Sequence, residues 1–153
     1  MKIHEGIVCF FDGACEPRNP GGNIGLGAVI YIDKVEFKSH SRYIKANKAN
    51  SNNVAEYSSF KWLLETLLRE GLHEQIIHIY GDSKLVIMQM KGFWRIKFGY
   101  YVNTAKECKE LLKNFKNISL KWIPREENFF ADKLSKGEMI NNNCEFKIQK
   151  NPA

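Results

Sequence analysis

The sequence has no long hydrophobic run and few cysteines. No window of the 153 residues approaches the roughly 18 unbroken apolar residues that a membrane-spanning helix requires. The first apolar run, from Ile7 to Phe11, is interrupted by Asp12 before it could serve as the core of a signal peptide. We therefore exclude a membrane-spanning protein and expect a cytoplasmic one. The cysteines fit neither a zinc-ligand pattern nor a secreted disulfide framework, so free thiols are expected at Cys9, Cys15, Cys108 and Cys144.

The composition is that of one compact globular domain. Hydrophobic residues make up 44% of the chain and charged residues 26%, which excludes collagen-like repetition and wholesale disorder. Lysine and arginine number 23 against 17 acidic residues, which gives a formal net charge of +6. Such a positive field attracts polyanions at low salt. The charge therefore raises nucleic acid among the candidate partners, although many basic proteins of this size bind no anion.

Hydrophobic periodicity predicts strands followed by alternating helices and strands. Alternating or continuous apolar runs predict strands at residues 7–11, 25–32, 35–43, 76–80 and 118–122, with a hairpin turn at 33–34. Helical spacing predicts helices at residues 53–71, 83–90, about 101–112 and about 126–136. This order is typical of an α/β architecture, a mixed sheet with helices on its faces. Beyond residue 137, the alternation around Phe146 and Ile148 is compatible with a short edge strand.

Four acidic residues lie where such a fold places functional groups. Asp12 and Asp82 directly follow predicted strands, Glu56 lies in the first turn of the long helix, and Asp132 lies on the last helix. Converging carboxylates are the ligands that a hard cation such as Mg²⁺ prefers, and a pair of such ions can promote phosphodiester cleavage. Each acid also has an ordinary structural alternative. Asp12 could belong to a turn, Glu56 to a capping box, Asp82 to a helix cap and Asp132 to a solvated helix face.

Four ordered motifs resemble those of type 1 ribonuclease H. They are Phe10-Phe11-Asp12-Gly13 with Asn19-Pro20-Gly21-Gly22, then Ser51-Asn52-Asn53-Val54-Ala55-Glu56, then Tyr80-Gly81-Asp82-Ser83, then Trp122 to Asn128 ahead of Ala131-Asp132. The resemblance covers about residues 3–137, and its last motif is most similar to compact, archaeal-like members. It implies a ribonuclease H-like catalytic domain at residues 1–137, built on a five-stranded mixed sheet, and a separate C-terminal tail at 138–153.

The same resemblance implies an activity and a set of metal ligands. The expected enzyme is an endonuclease that cuts the RNA strand of an RNA–DNA hybrid and leaves 3′-hydroxyl and 5′-phosphate ends. Two Mg²⁺ or Mn²⁺ ions would assist it. By motif position, the metal ligands would be Asp12, Glu56, Asp82 and Asp132.

The resemblance also assigns substrate contacts by motif position to Gly13, Asn19, Asn52 and Asn53. Amide groups suit this role, because the 2′-hydroxyl and base edges in a shallow minor groove can be read by groups that both donate and accept hydrogen bonds. For Asn53, a role as the N-cap of the long helix is an equal alternative, and the two roles are compatible.

Two positions depart from the common pattern of the family. Lys84 stands where most members have glutamine, so a minor-groove contact would become a phosphate contact and discrimination would loosen. Arg125 stands where many bacterial members have histidine. Since arginine stays protonated, Arg125 would support catalysis by stabilising phosphate charge and not by moving protons.

The basic protrusion of many family members is reduced here to residues 93–99, in which aromatic and basic side chains alternate. Trp94 is close to a family aromatic residue that lines the channel for the DNA strand, and we expect it to bind substrate by stacking. The alternative is that Phe93 and Phe98 anchor this connection in the core.

Two other functional classes stay open at this point. One is a module that binds hybrid or double-stranded RNA without catalysis, and the other is a relative of integrases and transposases, which share the layout of strands and acids. We expect a monomer that binds RNA–DNA hybrid and no membrane, with double-stranded RNA as a further substrate left open.

Overall fold

The computed structural model describes residues 6–137, and in this part of the chain five strands form one sheet. The strands are β1 (Ile7–Glu16), β2 (Asn23–Ile32), β3 (Val35–Ile44), β4 (Ile76–Gly81) and β5 (Asn117–Trp122). Their order across the sheet is β3-β2-β1-β4-β5. The pairs β1–β2 and β2–β3 are antiparallel, whereas β1–β4 and β4–β5 are parallel. The prediction of a five-stranded mixed sheet is confirmed.

Helices cover both faces of the sheet. They are α1 (Asn52–Arg69), α2 (Lys84–Met90), α3 (Val102–Leu112) and α4 (Phe129–Ser135), with a 3-10 turn at Arg125–Glu127. In β1, Ile7, Cys9 and Phe11 share a core cluster with residues of α1, α2 and α3. Val8 and Phe10 belong instead to a cluster with α4. This division explains the unbroken apolar run at the start of β1, because successive side chains point to opposite faces and both faces are buried.

The predicted hairpin turn at residues 33–34 is confirmed, and the predicted start of the long helix shifts by one residue. The hairpin turn between β2 and β3 contains Asp33 and Lys34, both with positive φ, as a tight type I′ turn requires. Helix α1 begins one residue earlier than predicted, because Ser51 is its N-cap and accepts a hydrogen bond from the Val54 amide. The interpretation of Asn53 as the N-cap is therefore wrong. Glu56 lies in the second turn of the helix, and no capping box involves it.

The last helix differs from its prediction. Instead of one helix from about residue 126, the chain forms the 3-10 turn and starts α4 at Phe129. The two are separated by Asn128, whose backbone leaves the helical region at φ −98° and ψ 39°. The Asn128 side chain donates a 2.8 Å hydrogen bond to the carbonyl of Phe11 in β1. This tertiary bond fixes the break between the two segments.

Three of the predicted free thiols, Cys9, Cys15 and Cys108, are free and buried. Cys144 and the predicted edge strand near residues 146–148 lie outside the described residues. Between residues 6 and 137, no helix combines the length and the apolar character that a membrane crossing would need.

Candidate active site

Three carboxylates converge beside the C-terminal end of β4, where the neighbouring strand β1 continues past it. The last parallel pair between these strands is Phe11 with Gly81. Asp12 and Asp82 are the next residues on each strand path, and Glu56 reaches them from α1. One oxygen from each carboxylate lies within 4.8 Å of the others. β1 continues to Glu16 through its pairing with β2, so Asp12 lies inside a strand and not in a turn.

A glycine and a serine bring α1 close enough to β1 to form this cluster. A Cβ atom at Gly13 would lie 2.4 Å from the Ala55 carbonyl carbon and 2.5 Å from the Glu56 nitrogen. A side chain at this position would therefore push the helix away. The Ser59 hydroxyl donates a 2.7 Å hydrogen bond to the Asp12 carbonyl. We infer that Gly13, which the resemblance assigned to substrate contact, also permits this close approach of backbones.

The cluster holds more negative charge than its surroundings stabilise. Burial raises the pKa of Asp12 to about 7, and the neighbouring Asp82 carboxylate adds to the increase. Burial, followed by repulsion from Asp12 and Asp82, also raises the pKa of Glu56 well above its usual range. Burial raises the pKa of Asp82, while Arg125 partly opposes this change. A bound cation would compensate this negative charge and lower the pKa values of the carboxyls.

The donor set fits a hard divalent cation. All three groups offer carboxylate oxygens, which are the preferred ligands of Mg²⁺ and Mn²⁺. In addition, Glu56 Oε2 is buried and has no hydrogen-bond partner. A buried carboxylate oxygen without a partner is costly, and a bound cation would remove that cost. Asp12, Glu56 and Asp82 are therefore the residues that could hold a metal ion.

Asp132, the fourth predicted ligand, is not part of this group of three. Its Oδ1 lies 3.7 Å from an Arg125 guanidinium nitrogen, and its Oδ2 lies 3.4 Å from Lys136 Nζ. It is still close enough to raise the pKa values of Asp12 and Asp82. Asp132 thus lies at the border of the cluster, between the acids and two cations.

The acids open into a cleft of about 400 Å³, which Asn52, Asn53 and Arg125 also line. The Asn52 side-chain carbonyl accepts a 2.8 Å hydrogen bond from the Cys15 amide. The Asn19 side-chain carbonyl in turn accepts a 3.0 Å hydrogen bond from the backbone N–H of Asn52. These bonds fix the loop after β1 against the start of α1. The structure therefore places Asn52 and Asn53 in the cleft beside the carboxylates, and Asn19 supports the start of α1 from the loop after β1.

Lys84 lies beside this cleft. Its ammonium lies 4.9 Å from the centre of the Trp122 ring, within the range of a cation–π interaction. The Trp122 indole donates a 3.1 Å hydrogen bond to the Asp82 carbonyl. Lys84 is therefore held at the edge of the site with its charge accessible.

Trp94 lies elsewhere, in a second cleft of about 480 Å³ that Arg95 and Lys97 also line. Trp94 is 44% exposed, while Phe93 and Phe98 are 70% and 91% exposed. The interpretation that Phe93 and Phe98 anchor this segment in the core is therefore wrong. Ile96 packs against the core in their place.

Sequence reasoning missed several residues that shape the site. Asn128 belongs to the last motif without a predicted role of its own, although a polar residue next to a helix start is a signal for a structural hydrogen bond. Ser59 looks like any serine on a helix, and no signal in the sequence could have identified it. The contact of Lys136 with Asp132 has the i, i+4 spacing of a helical ion pair, so it was open to prediction.

Comparison with known proteins agrees with this geometry. A family model described as "Reverse transcriptase-like" matches residues 10–137. The bifunctional protein Rv2228c of Mycobacterium tuberculosis is 32% identical over 137 residues, which are 87% of this chain and 35% of that protein. The chain therefore spans about a third of the length of this curated relative.

Solved structures extend the similarity to the fold. The N-terminal RNase H domain of Rv2228c, solved as a fusion with maltose binding protein, has a TM-score of 0.77 at 29% identity, covering 88% of this chain and 99% of that one. LC11-RNase H1 in complex with RNA/DNA hybrid has a TM-score of 0.75 at 29% identity, covering 86% and 95%. RNase H1 from the halophilic archaeon Halobacterium salinarum has a TM-score of 0.69 at 28% identity, covering 84% and 92%.

The fold and its cluster of acids define an RNase H-like domain. The chain belongs to the reverse transcriptase-like family, and its similarity to type 1 RNase H, including an archaeal member, is confirmed.

Proposed function

We propose that this protein is an endoribonuclease that hydrolyses the RNA strand of RNA–DNA hybrids. The observation that carries the proposal is the convergence of Asp12, Glu56 and Asp82 within 4.8 Å, in a cleft that Asn52 and Asn53 also line. Carboxylates supply metal-binding oxygens, and the asparagine amides supply groups suited to the minor groove of a hybrid. Similarity to LC11-RNase H1, whose structure contains an RNA/DNA hybrid, supports the choice of substrate.

The reaction we propose uses two divalent cations, Mg²⁺ or Mn²⁺, and leaves 3′-hydroxyl and 5′-phosphate ends. When bound, such ions stabilise the charge of the reacting phosphate and lower the pKa of water. Asp12, Glu56 and Asp82 would hold the ions, and we assign Asp132 as a further ligand. The role of Glu56 as a metal ligand is supported by its buried Oε2 atom, which has no hydrogen-bond partner within the protein.

The remaining residues of the cleft would bind and orient the substrate. Asn52 and Asn53 would hydrogen-bond base edges and 2′-hydroxyls of the RNA strand. Arg125 would contact phosphate, because its guanidinium is exposed and lies next to Asp132 at the mouth of the cleft. Lys84 would contact a second phosphate, beside Trp122.

A cleavage panel tests the proposal. Labelled RNA–DNA hybrid, double-stranded RNA, single-stranded RNA and double-stranded DNA are incubated with the protein in Mg²⁺, in Mn²⁺ or in chelator, and the ends of the products are determined. We expect cleavage of hybrid in either metal and none in chelator. Asp82→Asn should abolish cleavage, whereas Glu110→Gln, a change at an exposed ion pair on α3, should leave it intact.

The other outcomes separate the remaining functional classes. Hybrid that is bound but never cut would contradict the proposal and favour a binding module. Joined DNA products in a strand-transfer assay would favour a relative of integrases. Cleavage of double-stranded RNA together with hybrid would keep the activity but widen the substrate class.

A further inference from the structure

A buried glutamine on α2 connects three parts of the molecule through its side chain. Gln89 is only 1% exposed. Its Oε1 accepts a 2.6 Å hydrogen bond from the Tyr57 hydroxyl of α1. Its Nε2 donates a 2.9 Å hydrogen bond to the Arg95 carbonyl and a 3.1 Å bond to the Tyr101 hydroxyl. One oxygen and two N–H groups are thus all used inside the protein.

The chemistry of the partners fixes which way the amide points. The Arg95 carbonyl can only accept a hydrogen bond, so Gln89 must present its NH₂ group to it. Oε1 then faces Tyr57, whose hydroxyl can donate. The Tyr57 and Tyr101 rings are stacked at 5.5 Å with an interplanar angle of 3°, which holds both hydroxyls beside the amide. The network therefore has one satisfied arrangement.

The Arg95 carbonyl belongs to the exposed aromatic and basic segment, residues 93–98. At its start, the Phe93 and Trp94 amides both donate to the Met88 carbonyl, at 2.9 and 3.2 Å. Directly after Trp94, the Gln89 side chain holds the Arg95 carbonyl. The backbone on both sides of Trp94 is thus attached to α2, although the indole itself is 44% exposed.

We propose that Gln89 is a positioning residue for substrate binding, which acts by holding the 93–98 segment in the conformation that presents Trp94 and Arg95 to a nucleic-acid strand. This inference rests on the proposed function. An indole and a guanidinium on a fixed backbone bind sugars and phosphates without first paying the entropy of ordering a loop. Tyr57 directly follows Glu56, so the same network ties the segment to the helix that carries a candidate metal ligand.

If Gln89 has this role, its replacement should weaken the binding of hybrid and leave the turnover rate nearly unchanged. Removing the amide should leave the carboxylate cluster in place, because none of the three acids is bonded to Gln89. The loosened segment should bind hybrid more weakly. We therefore expect Gln89→Met, which keeps the length of the side chain but lacks the amide, to raise KM for hybrid about fivefold or more with kcat within about twofold of wild type.

Tyr101→Phe is the matched control. It removes another hydrogen bond of the same network but keeps the bond between Gln89 and Arg95. Both variants are expected to lower Tm, and only Gln89→Met should raise KM. If Gln89→Met does not fold, Gln89→Asn replaces it, since the shorter amide keeps its polarity but cannot reach Arg95.

Hydrogen exchange supplies a readout that needs neither metal nor substrate. The Phe93 and Trp94 amides, which donate to the Met88 carbonyl, should exchange roughly tenfold faster in the Gln89 variant than in Tyr101→Phe, while those of α1 stay equally protected in both. Equal exchange in the two variants, an unchanged KM, or a loss confined to kcat would overturn the inference. Failure of the wild-type protein to cut or bind hybrid would instead overturn the proposed function, and the exchange result would still decide the role of Gln89.

Discussion

The Asn128 side-chain amide donates a 2.8 Å hydrogen bond to the backbone carbonyl of Phe11, although 117 positions separate the two residues. Phe11 directly precedes Asp12, and Asn128 is fully buried. Arg125 and then the Asn128 side chain oppose the increase in the pKa of Asp82 that burial causes. One amide thus ties the start of α4 to the strand that carries Asp12 and also influences the charge of Asp82.

Replacing this amide should cost both stability and activity. Asn128→Ala leaves the buried Phe11 carbonyl without its partner, which typically lowers the free energy of unfolding by about 1–3 kcal/mol. Urea denaturation should show this loss, with an unchanged m value. Activity should also fall, because α4 and Asp132 are no longer fixed relative to Asp12. A variant as stable as the wild type would show that the bond contributes little.

Removing one carboxylate charge should change how stability depends on pH. The pKa of Asp12 rises from 3.8 to about 7 in the folded protein, so between these values the folded state holds a proton that the unfolded state has released. Without metal, the free energy of unfolding should therefore fall as pH rises from about 4 to about 7. Asp12→Asn should weaken this fall and should be at least as stable as wild type above about pH 7.

The same variant should lose hybrid cleavage by at least about 100-fold at millimolar Mg²⁺, because an amide binds the ion much less strongly than a carboxylate. Denaturation curves and initial rates at a series of pH values check both statements. Glu110→Gln is the control for removal of an exposed acid. Near-full activity of Asp12→Asn would contradict a role for Asp12 in metal binding.

The order of strands and helices was predictable because each buried face leaves a periodic signal in the sequence. The stripe of Tyr57, Phe60 and Leu64 predicts α1, and all three side chains are fully buried. The end of β1 was not predictable in the same way. Its antiparallel partner β2 continues past the end of β4, and only this pairing shows that Asp12 lies inside a strand.

The residue types of the candidate site were predictable, whereas their grouping was not. Motif position identified four acids, but three of them converge and Asp132 faces Arg125 and Lys136. This grouping depends on the break at Asn128 and the close approach at Gly13, which are tertiary contacts without a local signature.

Lys84 provides a test of substrate discrimination. An ammonium contacts phosphates of any nucleic acid, whereas an amide can hydrogen-bond a 2′-hydroxyl or a base edge. Lys84→Gln should therefore increase the ratio of hybrid cleavage to double-stranded RNA cleavage. It should also reduce the salt slope of hybrid binding by roughly one. Lys113→Gln, at an exposed site directly after the end of α3, is the control. An unchanged slope would show that Lys84 contacts no phosphate.

We expect the basic residues and Trp94 of the 93–98 segment to contribute to hybrid binding in two different ways. Affinity for hybrid should fall steeply with salt, because each neutralised phosphate releases condensed counterions. Trp94→Ala should lower affinity about fivefold or more at every salt concentration and leave the slope unchanged, since stacking carries no charge. Lys97→Gln should instead reduce the slope. Binding titrations at several salt concentrations distinguish the two. A wild-type slope near zero would contradict the involvement of the basic residues.

Variants of Arg125 can distinguish stabilisation of phosphate charge from proton transfer. Its guanidinium is exposed, lies 3.7 Å from Asp132 Oδ1 and opposes the increase in the pKa of Asp82. If its fixed charge supports the reaction, Arg125→Lys should keep much of the activity and Arg125→Ala should lose about tenfold in rate. The loss should be nearly independent of pH, because arginine does not titrate near neutrality.

Arg125→His should add a pH dependence between about pH 6 and 8 that the wild type lacks, since the charge of a histidine changes in that range. Rate measurements over this range with all three variants check the prediction, and Lys84→Gln shows how far the loss of a different cation beside the cleft changes the rate. An alanine variant as fast as wild type would mean that Arg125 only forms a surface ion pair, which is worth little in stability or rate.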